Sequence, residues 1–219
     1  MKNAEKEYIG INREIYDSLA LEYAYRRDHV GEFSESAEYL GNSLLKHVQD
    51  PSKATVLEVG SGPGQILSFF ENSGCRTVGV ELSSEMCKLA SQESPKSLIV
   101  NENIEDIEFY DEQFDLIYMG AIIHLFPVQD EETIMKKVWR WLKPDGHIFV
   151  NTTCHDVSRE GYYYKEDYNI QKKRFRRYWR EDDFEEFIRK TGFDIIERLY
   201  TDEKDKNKKW VAFIARKEM

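Results

Sequence analysis

From residue 51 onward, short apolar runs alternate with amphipathic stretches of helical period. Val56, Leu57 and Val59 open the series, and runs of the same kind predict strands near 55–60, 75–81, 97–101, 114–119, 146–152, 193–200 and 209–216. Stripes such as Ile134, Val138, Trp141 and Leu142, or Phe184, Phe187 and Ile188, predict helices near 64–73, 84–93, 130–142 and 181–191. Strands alternating with helices make a mostly parallel sheet covered on both faces. Only the polar stretch TDEKDKNKK at 201–209 separates the final two strands, so the last is expected to run antiparallel to its neighbour through a hairpin. Ahead of the first strand, Ile15, Leu19 and Ala20, then Tyr39, Leu40, Leu44 and Leu45, recur at helical spacing on either side of Gly31. The pattern therefore predicts one domain: a helical cap at 1–50, a core at 51–153, a lid at 154–180 and the rest of the core at 181–219. The lid segment, CHDVSREGYYYKEDYNIQKKRFRRYWR, is too long for a simple loop and too aromatic for disorder.

The stretch TVLEVGSGPG at 55–64 joins the first core strand to the first core helix. Its three glycines, Gly60, Gly62 and Gly64, allow the backbone to approach a ligand where a side chain would collide, and the helix start behind them offers free N–H groups. A nucleotide-like cofactor suits that chemistry. The dinucleotide fingerprint wants G-x-G-x-x-G, and Gln65 stands where its third glycine would fall, so the match to NAD binding is incomplete. Glu81 ends the second strand pattern, RTVGVEL, about 20 residues beyond the turn, the separation at which a carboxylate reaches ribose hydroxyls.

Glu58 two residues before the first glycine, the G-x-G-x-G turn, Glu81, the strand-end residues Asn103, Ile104 and Glu105, FDLIYMG at 114–120 and LKPDGHIFV at 142–150 follow one another in order. Together, over roughly residues 50–219, they resemble class I S-adenosylmethionine-dependent methyltransferases, the large group with this core that acts on small molecules and RNA. The resemblance implies a Rossmann-like α/β fold with a seven-stranded, mostly parallel sheet whose last strand is antiparallel. It implies S-adenosylmethionine as cofactor and S-adenosylhomocysteine as product. It also implies cofactor contacts from Glu58, Gly60, Ser61 and Gly62 at the turn, and from Glu81 with Leu82 at the ribose. Asn103, in place of the commoner Asp, and Ile104 would hold adenine, while Met119 and Gly120 would lie beside the sulfonium. The segment YDSLALEYAYRRD at 16–28 resembles the opening helix that folds over the cofactor, which would turn Tyr16, Tyr23 and Arg26 toward its methionine end. Arg26 there would pair its fork of donors with the cofactor carboxylate. Tyrosines on an amphipathic helix equally serve as packing residues, and Arg26 as a solvated charge.

Composition narrows the partners. A chain of 219 residues with 41% hydrophobic content is long enough to bury a core alone. A formal net charge of −10 disfavours a broad phosphate-binding surface, although a local basic patch stays open. Cys75, Cys87 and Cys154 lack C-x-x-C spacing, so neither a metal site nor a disulfide framework is expected. The polar N-terminus and the lack of any run of about 18 apolar residues predict a soluble, cytoplasmic protein that does not enter membranes.

Methyl transfer from a sulfonium needs a nucleophile placed in line and water excluded, and no universal catalytic residue. A hydroxyl or protonated amine acceptor benefits from a base, for which His124 and His155, just past strand ends, are the candidates; a backbone-bonded core His124 and a surface-loop His155 are the plain alternatives. Within the lid, Lys172, Lys173, Arg174, Arg176, Arg177 and Arg180 interleave with Phe175, Tyr178 and Trp179. That interleaving suits exposed RNA bases, a small anionic acceptor, or a solvated run balancing the acidic EDDFEE that follows. The leading reading is methylation of an O, N or S nucleophile of a small molecule. An RNA enzyme, with some similarity to tRNA wobble-uridine methyltransferases around Arg26, is the alternative, and a non-catalytic cofactor-binding subunit a third. Oligomeric state is open.

Overall fold

The structure, a computed structural model, describes residues 5–30, 32–165, 172–203 and 208–218. Two helices, α1 (Glu7–Val30) and α2 (Glu32–Leu45), precede the core; Gly31 between them lies outside the described residues. The core then runs β1 (Thr55–Val59), α3 (Gln65–Asn72), β2 (Arg76–Glu81), α4 (Ser84–Glu93), β3 (Leu98–Asn101), β4 (Phe114–Met119), α5 (Val128–Trp141) and β5 (Leu142–Cys154). After it come β6 (Arg159–Tyr164), β7 (Lys173–Tyr178), α6 (Glu181–Lys190), β8 (Phe193–Glu203) and β9 (Lys208–Lys217).

Seven strands form one sheet in the order β3-β2-β1-β4-β5-β9-β8. Pairing is parallel from β3 across to β5, and β9 is antiparallel to both β5 and β8, as the hairpin connection required. The two last strands run further into the polar connection than expected, since Glu203 pairs with Lys208; residues 204–207 lie outside the described residues. Because side chains alternate along a strand, the sheet has two cores. Val56, Leu116, Tyr118, Phe149 and Ile214 face α2 and α3, packing on Leu44 and Phe70. Leu57, Ile117, Met119, Ile148, Val150 and Phe213 share the opposite core with Trp141 of α5 and with Phe184 and Ile188 of α6.

The helices of that second layer carry their start and stop signals in sequence. Pro127 precedes α5, Asp130 and Glu131 lie in its first turn and Arg140 in its last, which suits the helix dipole at both ends. Ile134, Met135, Val138 and Trp141 are fully buried along one stripe, each contributing on the order of 1.5–3 kcal/mol by burial. Strand five starts before the expected 146–152: the Leu-Lys-Pro-Asp-Gly segment is its bulged beginning. Leu142 pairs with Phe114 and His147 with Leu116, so the extra residues loop out, with Asp145 at φ 58°.

The 154–180 insert is mainly a β-hairpin. Strands β6 and β7 pair antiparallel from Arg159–Tyr178 to Tyr164–Lys173, and a bridge from Cys154 to Trp179 ties the hairpin to the end of β5. One face of β7 anchors it: Phe175 packs 5.5 Å from the Tyr8 ring of α1, and Arg177 pairs with Glu131 of α5 at 2.8 Å. Asn12 of α1 accepts from the Phe175 backbone N–H at 2.9 Å. Among the described residues, no helix is long and apolar enough to cross a membrane.

Candidate active site

The sheet order reverses between β1 and β4, and in such sheets ligands collect at the carboxyl ends of the strands there. At that point the glycine turn folds tightly: Gly60 N–H donates to Val80 O at 2.8 Å and Gly64 N–H to Ser61 O at 3.0 Å. Gly64 is left-handed at φ 93°, and a Cβ there would lie 2.8 Å from the Cα of Ala90 in α4, so glycine is required for helix packing. Gly62, at φ 52°, is the opposite case: among the described residues nothing lies within 4 Å of where its Cβ would be. The turn presents open space at Gly62 alone of the three.

Under the turn, Glu58 is buried against the start of α3. Burial raises its carboxyl well above the usual carboxylate range, the Glu81 charge adds to that, and the Leu67 N–H offsets part of it. Glu58 Oε2, Ser61 Oγ and Gln65 Nε2 are buried without a hydrogen-bond partner among the described residues. Buried polar atoms are seldom left so, and a cluster of three around a glycine turn fits a bound polar ligand. A carboxyl whose pKa burial raises destabilises the fold as pH rises, because the unfolded chain ionises first: the native state then binds more protons than the unfolded one above about pH 4.3. Glu58→Gln is therefore expected to raise Tm at pH 8 by about 2–4 °C, equivalent to about 1 kcal/mol, with the gain shrinking as pH falls toward 4.5. Thermal denaturation at several pH values checks this, and a constant gain would mean that Glu58 is ionised in the fold.

Glu81 stands at the end of β2 and binds the turn directly. Its Oε2 accepts from Gly62 N–H at 2.9 Å and its Oε1 from Ser83 N–H at 2.8 Å. Burial raises its carboxyl, and the N–H groups of Ser83, Gly62 and Leu82 restrain the rise. Of the two acids, Glu81 is thus the better carboxylate. Ser83 caps α4 by accepting from Met86 N–H, and its hydroxyl donates to Asp17 Oδ1 at 2.6 Å; Asp17 also accepts from Glu85 N–H at 3.2 Å. An acid from α1 therefore sits at the N-terminus of α4, where the helix dipole favours it. This holds α1 across the carboxyl end of the sheet. Asp17 was not among the expected site residues, although it adjoins Tyr16 in the opening segment.

The remaining expected contacts divide. Asn103 lies two residues beyond β3, not at the strand end, and its Oδ1 accepts from Glu105 N–H at 3.2 Å while its Nδ2 donates to Asp106 at 3.2 Å. Its amide thus builds the turn itself, and Ile104 beside it is buried with its carbonyl on Lys137 Nζ at 3.1 Å. Leu82 packs against the core, as does the fully buried Met119. After Gly120 the chain turns sharply at Ala121, φ 55°, which is held by donating to Asn151 Oδ1 at 2.6 Å. Left-handed alanine is strained backbone, and here it lies at the carboxyl end of β4.

On α1, Tyr16 Oη accepts from Arg174 of the hairpin, and the Tyr23 ring lies 6.4 Å from that of Tyr16. Arg26 pairs with Glu22 one turn before it at 2.7 Å. His124, in the one-turn helix Ile123–Leu125, is 2% exposed, and its Nδ1 lies 3.3 Å from Thr152 Oγ1. Burial lowers its pKa well below the usual range, and Arg176, Arg174, Lys165 and His155 lower it further. His155 Nε2 lies 2.9 Å from Thr153 Oγ1, its backbone N–H donates to Trp179 O, and its ring meets Tyr178 edge-on at 4.4 Å. It is half-buried under the hairpin, not on a plain surface loop. Tyr16, Tyr23, His124 and His155 are thus all tied to the lid, whereas the Gly62–Glu81 clamp lies by β1 and β2.

Residues 57–150 match a family model described as a methyltransferase domain. A phosphoethanolamine N-methyltransferase of Plasmodium falciparum is 22% identical over 200 residues, covering 89% of this chain and 66% of that protein. The chain spans 46 to 56% of the length of four further curated relatives. Among solved structures, 1,6-didemethyltoxoflavin-N1-methyltransferase of Burkholderia thailandensis, with its acceptor and S-adenosylhomocysteine bound, superposes with a TM-score of 0.78 at 20% identity, covering 100% of this chain and 92% of that one. Magnesium protoporphyrin IX methyltransferase of Synechocystis, with S-adenosylmethionine bound, gives a TM-score of 0.72 at 12% identity over 99% of this chain and 100% of that one. Residues 57–150 thus match a methyltransferase domain, and the chain has the Rossmann-like fold of those two structures. The open side of Gly62, the Glu81 carboxylate and the buried polar atoms of the turn fit a nucleotide-like cofactor at this end of the sheet.

Proposed function

We propose that this chain transfers the methyl group of S-adenosylmethionine to an O, N or S nucleophile of a small molecule lodged under the lid. The carrying observation is the Gly62–Glu81 pair, an open backbone position joined to an acid at the end of the next strand. The cofactor supplies an already activated methyl group. Glu81 receives the ribose hydroxyls, Gly60, Ser61 and Gly62 line the methionine side, Asn103 and Ile104 flank adenine, and Gly120 lies at the sulfonium end. Tyr16, Tyr23 and Arg26 of α1 close over the methionine moiety. The hairpin, anchored by Phe175 and Arg177, keeps water from the acceptor.

His124 and His155 flank the acceptor. As His124 stands, neutral and surrounded by cations, it takes a proton poorly, so its part is to orient the acceptor unless the acceptor brings compensating charge. The basic run supports a small molecule over RNA: Arg174 and Arg176 turn inward, and Arg177 and Arg180 pair with Glu131 and Asp182. Three free cysteines suit the cytoplasm.

Calorimetric titration with S-adenosylhomocysteine and with NADH tests the cofactor, and turnover of S-adenosylmethionine with an acceptor panel tests the chemistry. Saturable binding of the first ligand only, with turnover, is expected. NADH binding alone would return the glycine turn to dehydrogenase chemistry, and binding with no turnover on any acceptor would favour a non-catalytic subunit.

A further inference from the structure

Lys137 of α5 is 9% exposed, a depth at which lysine is seldom found. Its ammonium donates to three main-chain carbonyls of the segment that follows β3: Ile104 O at 3.1 Å, Glu105 O at 2.9 Å and Ile107 O at 2.6 Å. Glu108 Oε1 lies 3.2 Å from the same ammonium, and the Trp141 ring centroid 5.4 Å. An ammonium carries three donors and no acceptor, which suits it to three carbonyls of one turn.

Those bonds set which way the segment faces. Asn103 O accepts from Asp106 N–H at 3.0 Å and from Ile107 N–H at 3.2 Å, inside the turn. Across a trans peptide the carbonyl and the next N–H point in opposite directions, so the Ile104 N–H is aimed out of the turn. It has no hydrogen-bond partner among the described residues. The Asn103 amide is taken up by Glu105 and Asp106, so what the segment offers a ligand is its main chain. Its place is beside Glu81: Asn101, at the end of β3, donates through Nδ2 to Glu81 O at 2.9 Å and to Leu82 O at 3.0 Å. From the other side Lys6 pairs with Glu105 and with Asp130 of α5, each at 2.6 Å, and the Tyr8 hydroxyl donates to Glu105. Lys137 is the inner tether of the segment and the start of α1 its outer one.

We propose that Lys137 is a positioning residue for the cofactor base: it holds the 103–107 segment so that the main chain, led by Ile104 N–H, reads the edge of adenine in the cofactor whose ribose Glu81 receives. The proposal rests on the methyl-transfer reading. Adenine accepts at its ring nitrogens and donates from its amine, whereas hypoxanthine carries a carbonyl in place of the amine and a proton on the adjacent nitrogen. A main-chain N–H fixed in place therefore favours adenine, and one released by loss of its tether does so far less.

Calorimetric titration of the full chain with S-adenosylhomocysteine and with S-inosylhomocysteine, in which hypoxanthine replaces adenine, tests this. The wild-type chain is expected to bind the first about 10-fold or more tightly than the second. Lys137→Met, which keeps the buried length and removes the donors, should weaken S-adenosylhomocysteine about 10-fold and bring the two ligands within about 3-fold of each other. Lys136→Met, at the exposed neighbouring position, should alter neither. Thermal denaturation shows whether Lys137→Met folds; if it does not, Lys137→Gln, one atom shorter and still a donor, takes its place in the same comparison. A loss shared equally by both ligands would mean that Lys137 supports only the fold, and so overturns the proposal. Unchanged binding, or a wild-type chain that does not distinguish the two bases, overturns it as well. S-adenosylhomocysteine binding in those cases leaves the methyl-transfer reading standing, while a wild-type chain that binds neither ligand removes that reading and the proposal together.

Discussion

Gly64→Ala is expected to lower stability by about 2–5 kcal/mol, while Gly62→Ala leaves the chain folded and loses the cofactor. At Gly64 two costs add: left-handed backbone penalises a Cβ by about 1–2 kcal/mol, and overpacking by about 1–3 kcal/mol. The collision is with the Ala90 Cα at 2.8 Å, which is main chain within α4 and cannot swing aside. For a domain of this size the loss corresponds to a fall in Tm of about 5–15 °C. Gly62 pays only the backbone term, since no described atom lies within 4 Å of the added methyl. Its methyl instead occupies the space offered to the ligand, so affinity for S-adenosylhomocysteine should fall 10-fold or more. Thermal denaturation and titration calorimetry on the two variants separate these effects. Undiminished affinity in Gly62→Ala would show that the open side of the turn faces something other than the cofactor.

Glu81→Ala is expected to weaken S-adenosylhomocysteine by about 1–3 kcal/mol, the range for hydrogen bonds to a charged group. This is roughly 5- to 150-fold in Kd. The variant also strips the acceptor from two buried N–H groups, Gly62 and Ser83, so some fall in Tm accompanies it. Glu81→Gln keeps an acceptor for one of those N–H groups, and should recover part of the stability without recovering the affinity. Titration of both variants with the same ligand decides the matter: a folded Glu81→Ala chain with wild-type affinity would remove Glu81 from the cofactor site and leave it a brace for the turn.

Glu81 shows where sequence reading ends. Its separation from the glycine turn marked it as a ligand for ribose, and nothing in that spacing disclosed that the turn's own backbone already holds it. Asn103 is similar. Its place after the third strand pointed to adenine, yet its amide closes the turn on Glu105 and Asp106, because a short polar side chain satisfies its own backbone when a turn follows at once. Asp17 went unseen for the converse reason, since its partner, the start of α4, is 66 residues away along the chain.

The sequence by itself determined the alternation of strands and helices, the mostly parallel sheet with its antiparallel last strand, and the glycine turn between the first core strand and helix. These rest on periodicity and turn chemistry within a few residues, and on connections that are helical between parallel strands and a hairpin before the antiparallel one. Only the tertiary structure decided what the lid does with its charge. The run at 172–180 alternates cations and aromatics without saying which face is covered. Once β7 is laid between α1 and the end of β5, Arg174 and Arg176 are buried and Arg177 is spent on the buried Glu131. The period of a strand sorts side chains into two faces, and only packing against distant elements determines which of them becomes the interior.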